Sequence, residues 1–208
     1  MLIKIQAVTN EHFKANTYII KSSTSESACY LVDIGNYDGV MDVLEKNHYI
    51  KGVFLTHAHY DHICGINEIV NQFPDCTIFC SKYTKEALQD SKVNLSFYHN
   101  TPVTYKGNNI KILTEEDSID LFINVKLTAL ETPGHNEGSL TFKIEQAIFS
   151  GDSLIPETAV ITKLKSGNKA DAQKSIIKIQ QNTREHDVIY PGHGKSFEAT
   201  KINWNFYL

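Results

Sequence analysis

The chain has 208 residues, 41% of them hydrophobic and 21% charged, with a formal net charge of −4. That length accommodates one large domain and buries enough apolar surface to fold without disulfide staples. The acidic balance and the scattered lysines exclude the clustered basic face of a nucleic-acid binder. No apolar stretch reaches the roughly 20 residues that span a bilayer.

Residues Met1 to Asn10 alternate apolar and polar side chains and lack the charged start and apolar centre of a secretion signal, so they read as a strand. Strands are expected at Leu2 to Val8, Thr17 to Ile20 and Cys29 to Val32. From Asp38 to about Asn47 the pattern is helical, with Val40, Val43 and Leu44 on one face. Gly52 to Thr56 is a short apolar strand of the kind buried on both sides. A helix from about His62 to Gln72, a strand at Thr77 to Cys80 and a helix at Tyr83 to Asp90 follow. Residues Ser91 to Asn109 read as irregular, a candidate pocket wall. Strands resume at Asn109 to Leu113, Val125 to Leu130, Ser139 to Ile144 and Ala147 to Phe149. A helix over Ala170 to Asn182, with Ile176, Ile177 and Ile179 apolar, precedes a last strand at Asp187 to Tyr190. No linker rich in Pro, Gly or Ser divides the chain, which reads as a single domain over 1–208. Periodicity alone leaves the fold at α/β or α+β. Cys29, Cys64, Cys76 and Cys80 form no CxxC pair and sit in apolar segments. They read as reduced, mostly buried small hydrophobes in a cytoplasmic protein.

The chemistry concentrates in Thr56-His57-Ala58-His59-Tyr60-Asp61-His62, directly after an apolar strand. Loops at the carboxyl ends of strands are where α/β folds place binding groups. Three imidazoles and a carboxylate within six residues are a poor packing solution, because each buried uncoordinated histidine carries a desolvation cost. Three further segments share one syntax, a strand, a turn with small residues, then a potential ligand. They are Glu131-Thr132-Pro133-Gly134-His135, Phe149-Ser150-Gly151-Asp152 and Tyr190-Pro191-Gly192-His193-Gly194. Glycine permits the tight turns that aim each side chain into a cleft.

These residues resemble the ligand set of the metallo-β-lactamase superfamily, and Tyr30-Leu31-Val32-Asp33-Ile34-Gly35 resembles that family's early strand and turn. The resemblance implies a four-layer αββα sandwich of the metallo-β-lactamase type. It also implies a dinuclear site, with His57, His59 and His135 on one metal, Asp61, His62 and His193 on the other, and Asp152 bridging. Within the superfamily the Glu131–His135 and Phe149–Ser153 segments look most like the small glyoxalase II-like hydrolases. Glyoxalase II proper carries a further helical domain that grips glutathione, whereas this chain runs only a short way past His193. A Gly-Arg element common after the Gly-Asp turn is replaced by 154–159. A small-molecule thioester without a strict glutathione requirement is therefore expected.

Imidazole and carboxylate donors suit zinc first, with iron and manganese also accommodated. The reading that follows is a hydrolase that attacks a small thioester, lactone or phosphoester with a metal-bound hydroxide. Asp61 is expected to serve as both ligand and orienter of the nucleophile. Asp33 reads either as the acceptor that holds a ligand imidazole or as a turn cap. Tyr60, Asn136 and Lys163 are candidate substrate contacts; Lys163 and Lys165 read alike, as a contact to an anionic substrate group or as solvated surface lysines, and His99 reads as a cleft residue without a metal role. Trp204, Phe206 and Tyr207 are expected to pack the last segment onto the domain. Two other readings compete. One is a mononuclear-iron oxidoreductase resembling the persulfide dioxygenases; the other is a non-catalytic metal-binding protein.

Overall fold

A computed structural model of the chain describes residues 2–11, 13–24 and 26–208, so Met1 of the expected first strand lies outside the described residues. The chain divides into two compact units, Met1–Ile112 and Leu113–Leu208.

The first unit holds a six-stranded sheet in which spatial order follows chain order: β1 (Ile3–Thr9), β2 (Asn16–Ser22), β3 (Ala28–Val32), β4 (Tyr49–Phe54), β5 (Thr77–Cys80) and β6 (Ile110–Ile112). The first three strands run antiparallel, and β3 through β6 pair in parallel. Parallel neighbours need crossover connections, which α1 (Tyr37–Val43), α2 (Tyr60–Ile63), α3 (Ile66–Gln72) and α4 (Lys82–Ala87) provide. Every residue of β3 is buried, as are Gly52, Val53 and Phe54 at the end of β4. Ile19, Leu31, Val53 and Ile78 from the sheet pack with Val40 of α1 and with Ile66 and Ile69 of α3.

Two helices differ from the sequence expectation for tertiary reasons. The run expected from His62 to Gln72 is broken into α2 and α3. The chain at Ile34 enters the break, with Ile34 N–H donating to the His62 carbonyl (2.8 Å) and Gly65 N–H donating to the Ile34 carbonyl (2.9 Å). Those bonds from outside the helix replace the internal ladder at Cys64-Gly65. The first helix stops at Val43 because Leu44 turns extended (φ −74°, ψ 120°).

The second unit holds another six-stranded sheet, built from β7 (Ser118–Phe122), β8 (Val125–Glu131), β9 (Leu140–Ile144), β10 (Ala147–Gly151), β11 (Val188–Pro191) and β12 (Phe197–Glu198). Its spatial order is β12-β11-β10-β9-β8-β7. Only β10 and β11 are parallel, and α5 (Lys169–Asn182) lies between them in the chain. Asn168 caps α5 by accepting from Ala170 and Asp171 N–H. Ile176 and Ile179 of α5 are buried with Ile148, Leu154 and Ile189, whereas Ile177 is 42% exposed. The edge strand β7 and the two-residue β12 are not among the strands expected from the sequence. β7 follows Glu115-Glu116-Asp117 and carries a register shift between Asp120 and Phe122, so its alternation is weak.

The four cysteines are free thiols, buried at Cys29, Cys76 and Cys80 and half-buried at Cys64. Among the described residues no helix is long and apolar enough to cross a membrane.

Candidate metal centre

In the first unit the donor groups lie at the carboxyl ends of parallel β3 and β4. Asp33 N–H donates to the Phe54 carbonyl and Leu55 N–H to the Phe79 carbonyl, each at 2.9 Å, so the sheet ladder delivers the chain to Thr56 in a set direction. His57, His59 and His62 are buried, and Asp61 is half-buried. The His57 ring centroid is 4.6 Å from that of His59 and 4.3 Å from that of His62. His62 Nε2 stands 3.6 Å from Asp61 Oδ2. Gly35 admits this turn, since a Cβ there would collide with the Asp61 carbonyl oxygen.

Asp33 organises the group. It is 2% exposed and sits in the left-handed region at φ 60°, a conformation aspartate tolerates better than most residues. Its Oδ1 accepts from Thr56 N–H at 2.7 Å, and its Oδ2 accepts from the Thr56 hydroxyl and from His62 Nδ1–H, both at 2.8 Å. Thr56 Oγ1 in turn lies 3.1 Å from His57 Nδ1 and can accept a hydrogen bond from its N–H. Asp33 is thus both a cap for the Thr56 backbone and the acceptor for the His62 imidazole, with the His57 imidazole reached through the Thr56 hydroxyl, so the two readings of this residue coexist. Burial pushes its carboxyl above the usual range, opposed by the charge and hydrogen bond of His62 and by the bonds from Thr56.

In the second unit the parallel pair β10–β11 sets two donors side by side. Asp152 follows Gly151 at the end of β10, and His193 follows Pro191-Gly192 at the end of β11. Gly192 N–H donates to the Gly151 carbonyl at 2.8 Å. His135 leaves β8 through a turn at Gly134, whose φ of +138° no L side chain adopts easily and whose Cβ would run into the backbone of Ala172. His135 Nδ1–H donates to the Ile161 carbonyl at 2.9 Å. Asp152 Oδ2 then stands 3.5 Å from His135 Nε2 and 3.4 Å from His193 Nε2.

The remaining expected contacts differ in character. Tyr60 is half-buried, and its hydroxyl lies 2.5 Å from Thr101 Oγ1. Asn136 is buried, and its Oδ1 accepts from Gly138 N–H, so its side chain shapes the loop. Lys163 and Lys165 are exposed. Tyr207 ties the last segment down: its hydroxyl donates to the Ile155 carbonyl (2.7 Å) and accepts from Glu157 N–H (2.9 Å). Two groups that hold the imidazoles, Thr56 and the Ile161 carbonyl, are not among those expected from the sequence: the only signal for Thr56 is its place directly before His57, and a backbone carbonyl carries no residue signal at all.

The family model described as "Metallo-beta-lactamase superfamily" matches residues 11–193. The hydroxyacylglutathione hydrolase of Pectobacterium atrosepticum is 27% identical over 167 residues, 80% of this chain and 57% of that protein, so the chain spans little more than half the length of that relative. The "Probable polyketide biosynthesis zinc-dependent hydrolase PksB" of Bacillus subtilis is 28% identical over 182 residues, 86% of this chain and 73% of that protein. The crystal structure of the BLEG-1 B3 metallo-beta-lactamase matches with a TM-score of 0.84 at 22% identity, covering 94% of each chain. At that identity the likeness is one of fold, the α/β sandwich expected from the sequence.

Proposed function

Because the chain belongs to the metallo-β-lactamase superfamily, we propose that it is a dinuclear metal-dependent hydrolase of small ester-like substrates, acting as one domain across 1–208. In this reading His57, His59 and His135 hold one cation and Asp61, His62 and His193 the other, with Asp152 shared between them.

The observation that carries the reading is the spacing of donor atoms within each unit. Asp61–His62, Asp152–His135 and Asp152–His193 stand 3.6, 3.5 and 3.4 Å apart. A normal N–H···O bond spans about 2.7–3.2 Å. Ligands bound at about 2.1 Å in a tetrahedron stand roughly 3.4 Å from one another. Asp152 Oδ2 keeps that spacing to His135 Nε2 and His193 Nε2 at once, so it would be within reach of a cation held by either imidazole. The tautomers agree. Hydrogen bonds at Nδ1 of His57, His62 and His135 keep the proton there and present Nε2 as the electron-pair donor.

Divalent cations held by these groups would supply Lewis acidity toward a carbonyl or phosphoryl oxygen and would bring the pKa of a bound water near 7. Asp61 accepts a hydrogen bond from the attacking water and orients it. Asp33 stabilises the His62 Nδ1–H as its proton becomes more acidic. Tyr60, between His59 and Asp61, and the exposed Lys163 contact the substrate. Thioesters come first among the substrates, since the Pectobacterium relative is named for one; lactones and phosphoesters use the same donors. Zinc is the favoured metal, and iron or manganese fits the same nitrogen and oxygen donors.

The test is elemental analysis of protein purified without chelators, paired with thioester, lactone and phosphodiester panels at saturating metal. Two metals per chain with thioester turnover is the expected result. A single iron without zinc and no hydrolysis would move the protein to the oxygen-using branch of the fold. Tight metal binding without turnover of any substrate would leave it a metal-binding protein.

A further inference from the structure

The first unit also carries a set of aromatic rings whose exposure packing does not explain. The 3-10 turn Ser96–His99 stands on a buried polar base. Asn94 and Ser96 are fully buried; Asn94 accepts from Ser96 N–H (3.0 Å) and donates to the Val103 carbonyl (2.9 Å), while Ser96 Oγ accepts from Val103 N–H (2.8 Å). Both ends of the turn are left-handed, at Leu95 (φ 69°) and Asn100 (φ 59°). Leucine in that conformation persists only where its surroundings hold it, so the turn is preorganised.

It presents Phe97, Tyr98 and His99 outward, with Phe97 48% and Tyr98 65% exposed. The His99 ring stacks on Tyr60, centroids 5.0 Å apart and planes 13° from parallel. Tyr60 is the residue between the donors His59 and Asp61, and the Tyr60–Thr101 hydrogen bond fastens the same junction. Phe13, from the connection between β1 and β2, closes edge-on against His99 and Tyr60 at 4.9 and 5.6 Å. Tyr60, His99 and Phe13, fixed against one another beside the exposed Phe97 and Tyr98, offer ring faces and edges on which a flat apolar group can stack with little further loss of side-chain freedom at those three rings.

We propose that the Ser96–His99 turn, stacked through His99 on Tyr60, is an acyl-group subsite that receives an apolar, planar acyl chain of the arylacetyl type. The proposal rests on the hydrolase reading and names its substrate class. Its physical basis is that a short hydroxyacyl group leaves the exposed rings in water, whereas an aryl group covers them.

The experiment uses the metal-loaded full chain and two thioesters of one small thiol, phenylacetyl and glycolyl. The parent protein is expected to favour the phenylacetyl ester at least tenfold in kcat/KM. In Tyr98→Ala and His99→Ala the two esters are expected to come within about twofold of each other. Tyr98 is exposed, so its alanine variant leaves the packed interior intact. A second arm needs no turnover: phenylacetate, but not acetate, is expected to shift the ring signals of Tyr98 and His99 in an NMR titration. An unchanged preference in both variants, or no shift of either ring, overturns the proposal. So does a concentration-dependent shift of those rings without ligand, which marks a contact between copies. If no thioester is hydrolysed, the hydrolase reading fails separately, and the titration alone decides the subsite.

Discussion

Replacing Asp33 by asparagine changes one atom of a buried carboxylate and should reach the metal through a tautomer. Oδ1 faces the Thr56 backbone N–H, a donor that cannot change, so the asparagine keeps its oxygen there. Its NH2 then takes the place of Oδ2, which accepts from both Thr56 Oγ1 and His62 Nδ1–H. Two donors now face each other across about the length of a hydrogen bond. His62 relieves the conflict by moving its proton to Nε2, the nitrogen assigned to the metal. To bind metal it must return to the Nδ1–H form and forgo the bond. A hydrogen bond to a charged partner contributes about 1.5–3 kcal/mol, and about 1.4 kcal/mol is tenfold in an equilibrium constant. The affinity for the cation on His62 should therefore fall roughly 10- to 150-fold, overlapping the range of about 10–100-fold typical of groups behind metal ligands. Competition against a chromogenic chelator measures the affinities, and nitrogen-15 NMR of the metal-free variant reads the tautomer. Dissociation constants within twofold of the parent at both sites, with His62 still protonated at Nδ1, would refute the reasoning.

Three other outcomes follow from the same geometry. Asp152→Ala is expected to lose both metal and activity, whereas Asp61→Ala should lose activity and keep the cation of His57, His59 and His135; elemental analysis beside kinetics separates them, and an Asp152→Ala protein with two metals and full turnover contradicts the bridge. Gly134→Ala places a Cβ against the Ala172 backbone at a φ of +138°, so it should destabilise the fold by about 2–4 kcal/mol, read as a lower urea midpoint. Burial raises the thiols of Cys29 and Cys64 to about 11 and those of Cys76 and Cys80 to about 12, from a reference of 9.0. As pH rises past 9 the unfolded chain releases these protons first, so their contribution is intact below pH 9 and is lost between pH 9 and 11–12. The urea midpoint should fall over that window, and less steeply in a Cys76→Ala/Cys80→Ala protein; an equal slope in both would rule out those two thiols as a cause.

Much of this protein is written locally. The His57-x-His59-x-Asp61-His62 run, the Gly-led turns before His135, Asp152 and His193, and the apolar end of β4 are consecutive residues, and turn chemistry and hydrophobic period act over that range. β5 came out at the expected bounds, Thr77–Cys80, because a short apolar segment between helices has few alternatives. What escaped the sequence depends on groups far apart in the chain. Asp33 lies 29 residues before His62, and the Ile161 carbonyl 26 residues after His135. Their pairing with the imidazoles is decided by where β3 and the loop after β10 are carried, not by any local preference. The break between α2 and α3 has the same origin, since hydrogen bonds from Ile34 outcompete a helix that residues 62–72 would otherwise continue. Side-chain type and spacing told which residues could bind a metal; only the tertiary hydrogen bonds decided which nitrogen of His57, His62 and His135 is left free to do so.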